Sequence, residues 1–170
     1  MGMAYGFECK KCKYKFSVSM GIGFMFPVVY QKTIKDVKAG EYGELGKMFF
    51  EMYPEGTMDV EETAFRCKDC GKYMSAPRLS MHIPKEGYQH EKPTGIWSVS
   101  MPWKGADYIS HMEIEEYYDC IGEYDHKCEC GGDFEVVPHK FFAEDEVVCP
   151  KCKNEMECYL QHSQVNGHAF

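Results

Sequence analysis

Eight of the ten cysteines fall into four close pairs, Cys9/Cys12, Cys67/Cys70, Cys128/Cys130 and Cys149/Cys152. Two thiolates so near one another face the same metal ion when the backbone turns sharply between them, and four such pairs supply the donors for two tetrahedral sites. Disulfide frameworks instead scatter half-cystines so that each bridge closes a loop. In KCECGGDF a single residue separates Cys128 from Cys130, and Gly131 and Gly132 follow where a tight turn demands positive φ. Cys120 and Cys158 stand alone and read as buried or unpaired thiols, Cys158 being close enough to the last pair to serve as a substitute ligand.

The flanks of the pairs resemble each other. FECKKCKYKF (7–16) and FRCKDCGKYM (65–74) place an aromatic two residues before the first cysteine and a lysine after it, and VVCPKCKNEM (147–156) is a looser repeat with valine upstream and its lysine one position later. These knuckles resemble those of zinc ribbons, in which two cysteine pairs on β-turns clamp one Zn²⁺ and short strands lead away. The resemblance covers about 40 residues and implies two structural Zn²⁺ per chain on these eight cysteines, with iron the less favoured occupant. Proximity favours joining Cys128/Cys130 to Cys149/Cys152, which only a short stretch of chain separates. Cys9/Cys12 then joins Cys67/Cys70 by elimination across an interval the size of a small subdomain, which loop-closure entropy tolerates. Crossed pairings stay open.

Other chemistry has weaker support. His111-Met112-Glu113 followed by a CxxC outlines a zinc deaminase, but Pro150 follows Cys149 where that signature has proline before its first cysteine, and the surrounding alternation is that of a strand. CKKCKYKF and CPKC partly resemble rubredoxin knuckles, which would imply electron transfer, yet Lys13 stands where Gly-Tyr is expected and a CxC knuckle departs from that family. His82, His90, His126, His139, His162 and His168 lack ligand spacing to one another, and no P-loop or nucleophile motif occurs. An enzyme is therefore not favoured.

The elements that must position the cysteines can be read coarsely. SVSMGIGFMFPVVYQ is β-branched and aromatic, and reads as strand and loop. TIKDVKAGEYGELGKMFFEMYPEG predicts a main helix from about 42 to 53, with Tyr42, Leu45, Met48, Phe49 and Met52 on a core-facing side. LSMHIP, GIWSVSM and YISHMEIEEYYDCI alternate as strands, and Trp97 and Trp103 read as core or rim anchors. The expected fold is α+β, mostly β. A split zinc ribbon spans 1–76 with a helical insertion at about 17–64, a central β region spans 77–126, a C-terminal ribbon spans 127–160, and a flexible tail spans 161–170.

Charge narrows the partners. The net charge of −8 becomes about −12 if eight thiolates hold two divalent ions, so nucleic acid and acidic membranes are disfavoured. Ten of the nineteen basic residues lie within three residues of a knuckle cysteine, where ammonium groups offset the negative charge of a tetrathiolate site. Between Asp107 and Glu135 stand ten carboxylates and one lysine, a surface that would suit a basic partner. MGMAYGFECKKC lacks the apolar run of a secretory leader, and the run from Met20 to Val29 is too short to cross a bilayer. These readings converge on a cytoplasmic, zinc-stabilised protein-interaction or adaptor module. An electron carrier and a zinc-ribbon nucleic-acid binder are the alternatives.

Overall fold

The computed structural model describes residues 2–23, 25–93, 105–138, 140–144 and 146–164. In chain order the elements are β1 (Gly2–Glu8), β2 (Lys15–Met20), α1 (Phe26–Ala39), α2 (Glu44–Met52), β3 (Thr57–Asp59), β4 (Glu62–Cys67), β5 (Tyr73–Pro77), β6 (Ser80–Pro84), α3 (His111–Tyr117), β7 (Tyr118–Gly122), β8 (Phe134–Val136), α4 (Phe141–Glu144) and β9 (Glu157–Gln164). Among the described residues the protein is mixed α/β and mostly strand, arranged as three small open sheets. Its residues separate into two compact units. One is built from Met1–Phe24, Glu62–Pro77 and Asp125–Phe170, the other from Met25–Glu61 and Arg78–Tyr124.

The first unit holds every paired cysteine on two sheets of matching topology. In each, a hairpin carries a knuckle at its tip, and a strand flanking a second, distant knuckle pairs with the hairpin's first strand. The orders are β2-β1-β9 and β5-β4-β8. Hairpin β1/β2 runs from Met3↔Met20 to Glu8↔Lys15, and β9 lines the other edge of β1 from Gly2↔Gln164 to Glu8↔Glu157. Hairpin β4/β5 is joined by β8 through Phe65↔Val136, Arg66↔Glu135 and Cys67↔Phe134. The two sheets share an apolar core of Tyr5, Phe7, Val18, Met20, Ala64, Tyr73 and Phe142. Phe16 of β2 stacks on Tyr73 of β5 at 4.7 Å and 7°, and α4 directs Phe142 between Tyr5, Phe7 and Tyr73. Burying a phenylalanine of this kind contributes about 2 to 3 kcal/mol.

The second unit packs α1 and α2 with the sheet β3-β6-β7. Phe26, Tyr30, Thr33 and Val37 recur at helical spacing along the buried side of α1. Gly46 lets α2 approach α1 closely, since a Cβ there would lie 2.5 Å from Val37 Cγ1.

Several expectations are corrected here. FPVVYQ is helix, not strand. Pro27 acts as a starter in the first turn, where its missing N–H has no helical partner to lose, and the valines fit because the buried period is 3.6. Residues 111–117 are helix too: the Ser110 hydroxyl accepts the Glu113 amide at 3.2 Å, and this cap outweighs the polar alternation over a stretch too short to show a helical period. Alternation resumes in β7. On α2 the buried side chains are Phe49 and Phe50, whereas Leu45, Met48 and Met52 face outward. Residues 161–164, expected in a tail, continue β9 along β1. GIWSVSM, Trp97 and Trp103 lie outside the described residues, as do residues 165–170.

Candidate metal centres

All four knuckles have the same backbone construction. The amide of the residue after the second cysteine donates to the carbonyl of the first cysteine, as in Lys13 to Cys9, Gly71 to Cys67, Gly131 to Cys128 and Lys153 to Cys149. The donor residue has positive φ in each case: 60° at Lys13, 74° at Gly71, 86° at Gly131 and 60° at Lys153. The CxC knuckle is thus the CxxC knuckle with one residue removed, and Gly131 meets the conformational demand that the sequence placed on it.

The structure gathers the eight cysteines into two groups of four, Cys9, Cys12, Cys149 and Cys152, and Cys67, Cys70, Cys128 and Cys130. The pairing expected from proximity is overturned. Closing a longer loop costs only about 0.6 kcal/mol per doubling of its length, and the full-length pairing of β9 with β1 outweighs that. Among the described residues between Cys130 and Cys149 the one named strand is the short β8, whose partner is β4 rather than a strand of a local ribbon. Cys120 and Cys158 belong to neither group.

Across the first group Sγ separations are 3.4 Å for Cys9 and Cys152 and 3.6 Å for Cys12 and Cys149. In the second they are 3.5 Å for Cys67 and Cys130 and 3.7 Å for Cys70 and Cys128. These are far longer than a disulfide. They approach the edge of a tetrahedron with zinc–thiolate bonds of ordinary length, about 3.8 Å. The donor set therefore fits a thiophilic divalent ion in each group.

Electrostatics points the same way. The Asn154 amide, then hydrogen bonds from Cys9 and others, draw Cys152 down to about 6. The Cys70 amide leads in drawing Cys67 down to about 7. Cys12, although the Tyr14 amide favours its thiolate, is pushed up to about 12 by desolvation and by Cys149, Cys152 and Cys9. Cys130 is likewise held at about 12 by its three sulfur neighbours against the pull of the Gly132 amide. Four sulfurs this close cannot all ionise without a cation between them. The two groups are also neighbours, with Gly71 packed against Pro150 so that a Cβ there would meet the proline at 3.8 Å.

No family model, curated protein or solved structure matches the chain. No helix among the described residues is long and apolar enough to cross a membrane.

Several basic residues around the knuckles pair with carboxylates. Lys72 bonds Glu129 at 2.6 Å, Lys127 meets Asp125 at 2.8 Å and Asp133 at 2.6 Å, and Lys10 pairs with Glu157. The carboxylates between Asp107 and Glu135 are distributed over both units, and many have local partners, such as Glu123 with Arg78 at 2.8 Å.

His111 and Glu113 do begin a helix, yet no cysteine joins them. His111 Nδ1 faces Asp59 and Glu61, the third group of potential ligands among the described residues. Glu113 turns instead to Tyr88 and His90, each 2.5 Å from its Oε1, while His90 Nε2 lies 2.8 Å from Asp107. Burial works against charge on His90, but its bonds to Asp107 and Glu113 outweigh this and raise its pKa. His90 and Asp107 also line a cleft of about 470 Å³ beside Tyr30 and Lys38. Neither His111 nor Glu113 borders it. Histidine spacing in the sequence does not reveal these groupings, because most partners of the two rings are carboxylates distant in the chain.

Proposed function

We propose that each cysteine group holds one structural Zn²⁺ in a zinc-ribbon-like setting, on the ligands Cys9, Cys12, Cys149 and Cys152 and the ligands Cys67, Cys70, Cys128 and Cys130, and that the protein is a cytoplasmic adaptor acting through its surface. The observation that carries this reading is the four-sulfur donor set. Four thiolates complete a tetrahedral shell and leave no coordination position for water or a reactant. Function then belongs to exposed side chains. The outward stripe of Leu45, Met48 and Met52, about half exposed or more and edged by Glu44 and Glu51, suits an apolar segment with basic flanks on a protein partner.

Metal release tests the reading. Titrating the thiols of protein purified without added metal with a mercurial should free two zinc ions per chain, and the protein should be colourless. Red protein that bleaches on reduction would replace this reading with electron transfer. Replacing Leu45, Met48 and Met52 by aspartate should abolish partner binding while leaving both ions in place.

A further inference from the structure

Asp59 ends β3, Glu61 follows just before β4, and His111 opens α3. The Glu61 amide donates to Asp59 Oδ1 at 3.0 Å, fixing the two acidic residues in a tight turn. Asp59 Oδ2 then lies 3.4 Å from His111 Nδ1, and Glu61 Oε2 lies 3.5 Å from the same nitrogen. Nδ1 is fully buried and has no hydrogen-bond partner.

The other ring nitrogen is engaged elsewhere. Nε2 lies 3.1 Å from Glu115 Oε1, one helical turn along α3. The buried Nδ1 thus faces two carboxylate oxygens without a hydrogen bond to either, an unmet polar atom that a cation among the three would satisfy. The spacing is long for a hydrogen bond. It equals the edge of a tetrahedron built on ordinary metal–nitrogen and metal–oxygen bonds, about 3.4 Å. A carboxylate behind a ligating histidine is the usual support for such a bond, orienting the ring and raising its basicity.

We propose that Asp59, Glu61 and His111 form a third metal site, taking a divalent transition-metal ion on one nitrogen and two oxygens, with Glu115 as the positioning residue. Its character differs from the thiolate groups. The Asp59 side chain is 5% exposed but Glu61 is 21% and His111 38% exposed, so one side opens to solvent and leaves a coordination position for water or a small anionic ligand. The borderline donor set suits Zn²⁺, Mn²⁺ or Fe²⁺ ahead of Mg²⁺ or Ca²⁺, which prefer oxygen alone.

The test uses the full chain with both thiolate groups already loaded. Equilibrium dialysis against Zn²⁺ followed by elemental analysis should find a third ion per chain. His111→Ala and Glu61→Gln should each lose that ion and keep the two that a mercurial releases, and Glu115→Gln should weaken its binding about 10- to 100-fold. With Co²⁺ the third equivalent should add weak visible absorption without the intense sulfur charge-transfer band of the thiolate groups. Wild-type protein that stops at two ions under saturating Zn²⁺, or a third ion undiminished in His111→Ala, would overturn the proposal and leave His111 as a plain ring-to-carboxylate contact. Either result leaves the thiolate count, and hence the structural zinc reading, to its own test.

Discussion

The two units reach a folded state by different means. The first has short strands in two sheets and four knuckles, which gather eight sulfurs from distant parts of the chain into two groups. The second has no paired cysteine and relies on α1 and α2 packed with a three-stranded sheet, around residues such as Phe49, Met58 and Leu79. The second unit relies on ordinary packing; in the first, where strands are short and their partners lie far apart in sequence, the proposed ions would add closure to the shared apolar core.

Removing metal should break that contrast open. A structural zinc site contributes about 10 to 16 kcal/mol, as much as the whole stability of a typical domain. Chelation is therefore expected to abolish hydrogen-exchange protection in β1, β4 and β9 while α1 and β6 keep theirs. Equal loss in both units would show that the second also depends on the ions.

A single ligand change sharpens the picture further. Cys149→Ala should release one ion and expose Cys9, Cys12 and Cys152 to alkylation, with Cys67, Cys70, Cys128 and Cys130 still protected, at a cost of several kcal/mol to the first unit. Exposure of Cys128 and Cys130 instead would restore the pairing by proximity. In the second unit the corresponding weak point is a contact rather than a bond: Gly46→Ala should destabilise it by about 1 to 3 kcal/mol, because Val37 must move, with metal content unchanged. Thermal melts measure that loss.

The smallest expected effect depends on pH. The pKa of His90 is raised in the folded protein, so its contribution is complete below the ordinary histidine value and fades as pH rises through the folded-state value. His90→Gln should therefore lower stability more at pH 6 than at pH 9, by less than about 1 kcal/mol given that Asp107 leaves the cluster open to solvent on one side. Denaturant titrations at the two pH values measure it. A larger penalty at pH 9 would contradict the two-carboxylate clamp.

Some of this is legible in the residues and some is not. The cysteine spacing singles out the eight residues that the structure brings together, because a knuckle is a local object whose turn, lysine flanks and glycines are all within reach of one another in sequence. Which knuckle meets which is not legible, since it is decided by β9 lying along β1 and β8 along β4, pairings between strands from distant parts of the chain. LSMHIP alternates as a strand does and supplies β6, but α1 is hidden because Pro27 and the valines look like helix breakers until they are placed in a first turn and on an exposed face. The cap at Ser110 and Glu113 is present as a motif, and only the alternation beside it conceals α3.

The nested order of the cysteine groups bears on how the chain is made. During synthesis the inner group is complete once residue 130 has emerged, whereas Cys9 and Cys12, which precede it, must wait for Cys152. Throughout that interval a nascent chain exposes a pair of oxidisable sulfurs, so of the four knuckles the one translated first waits longest for its partner.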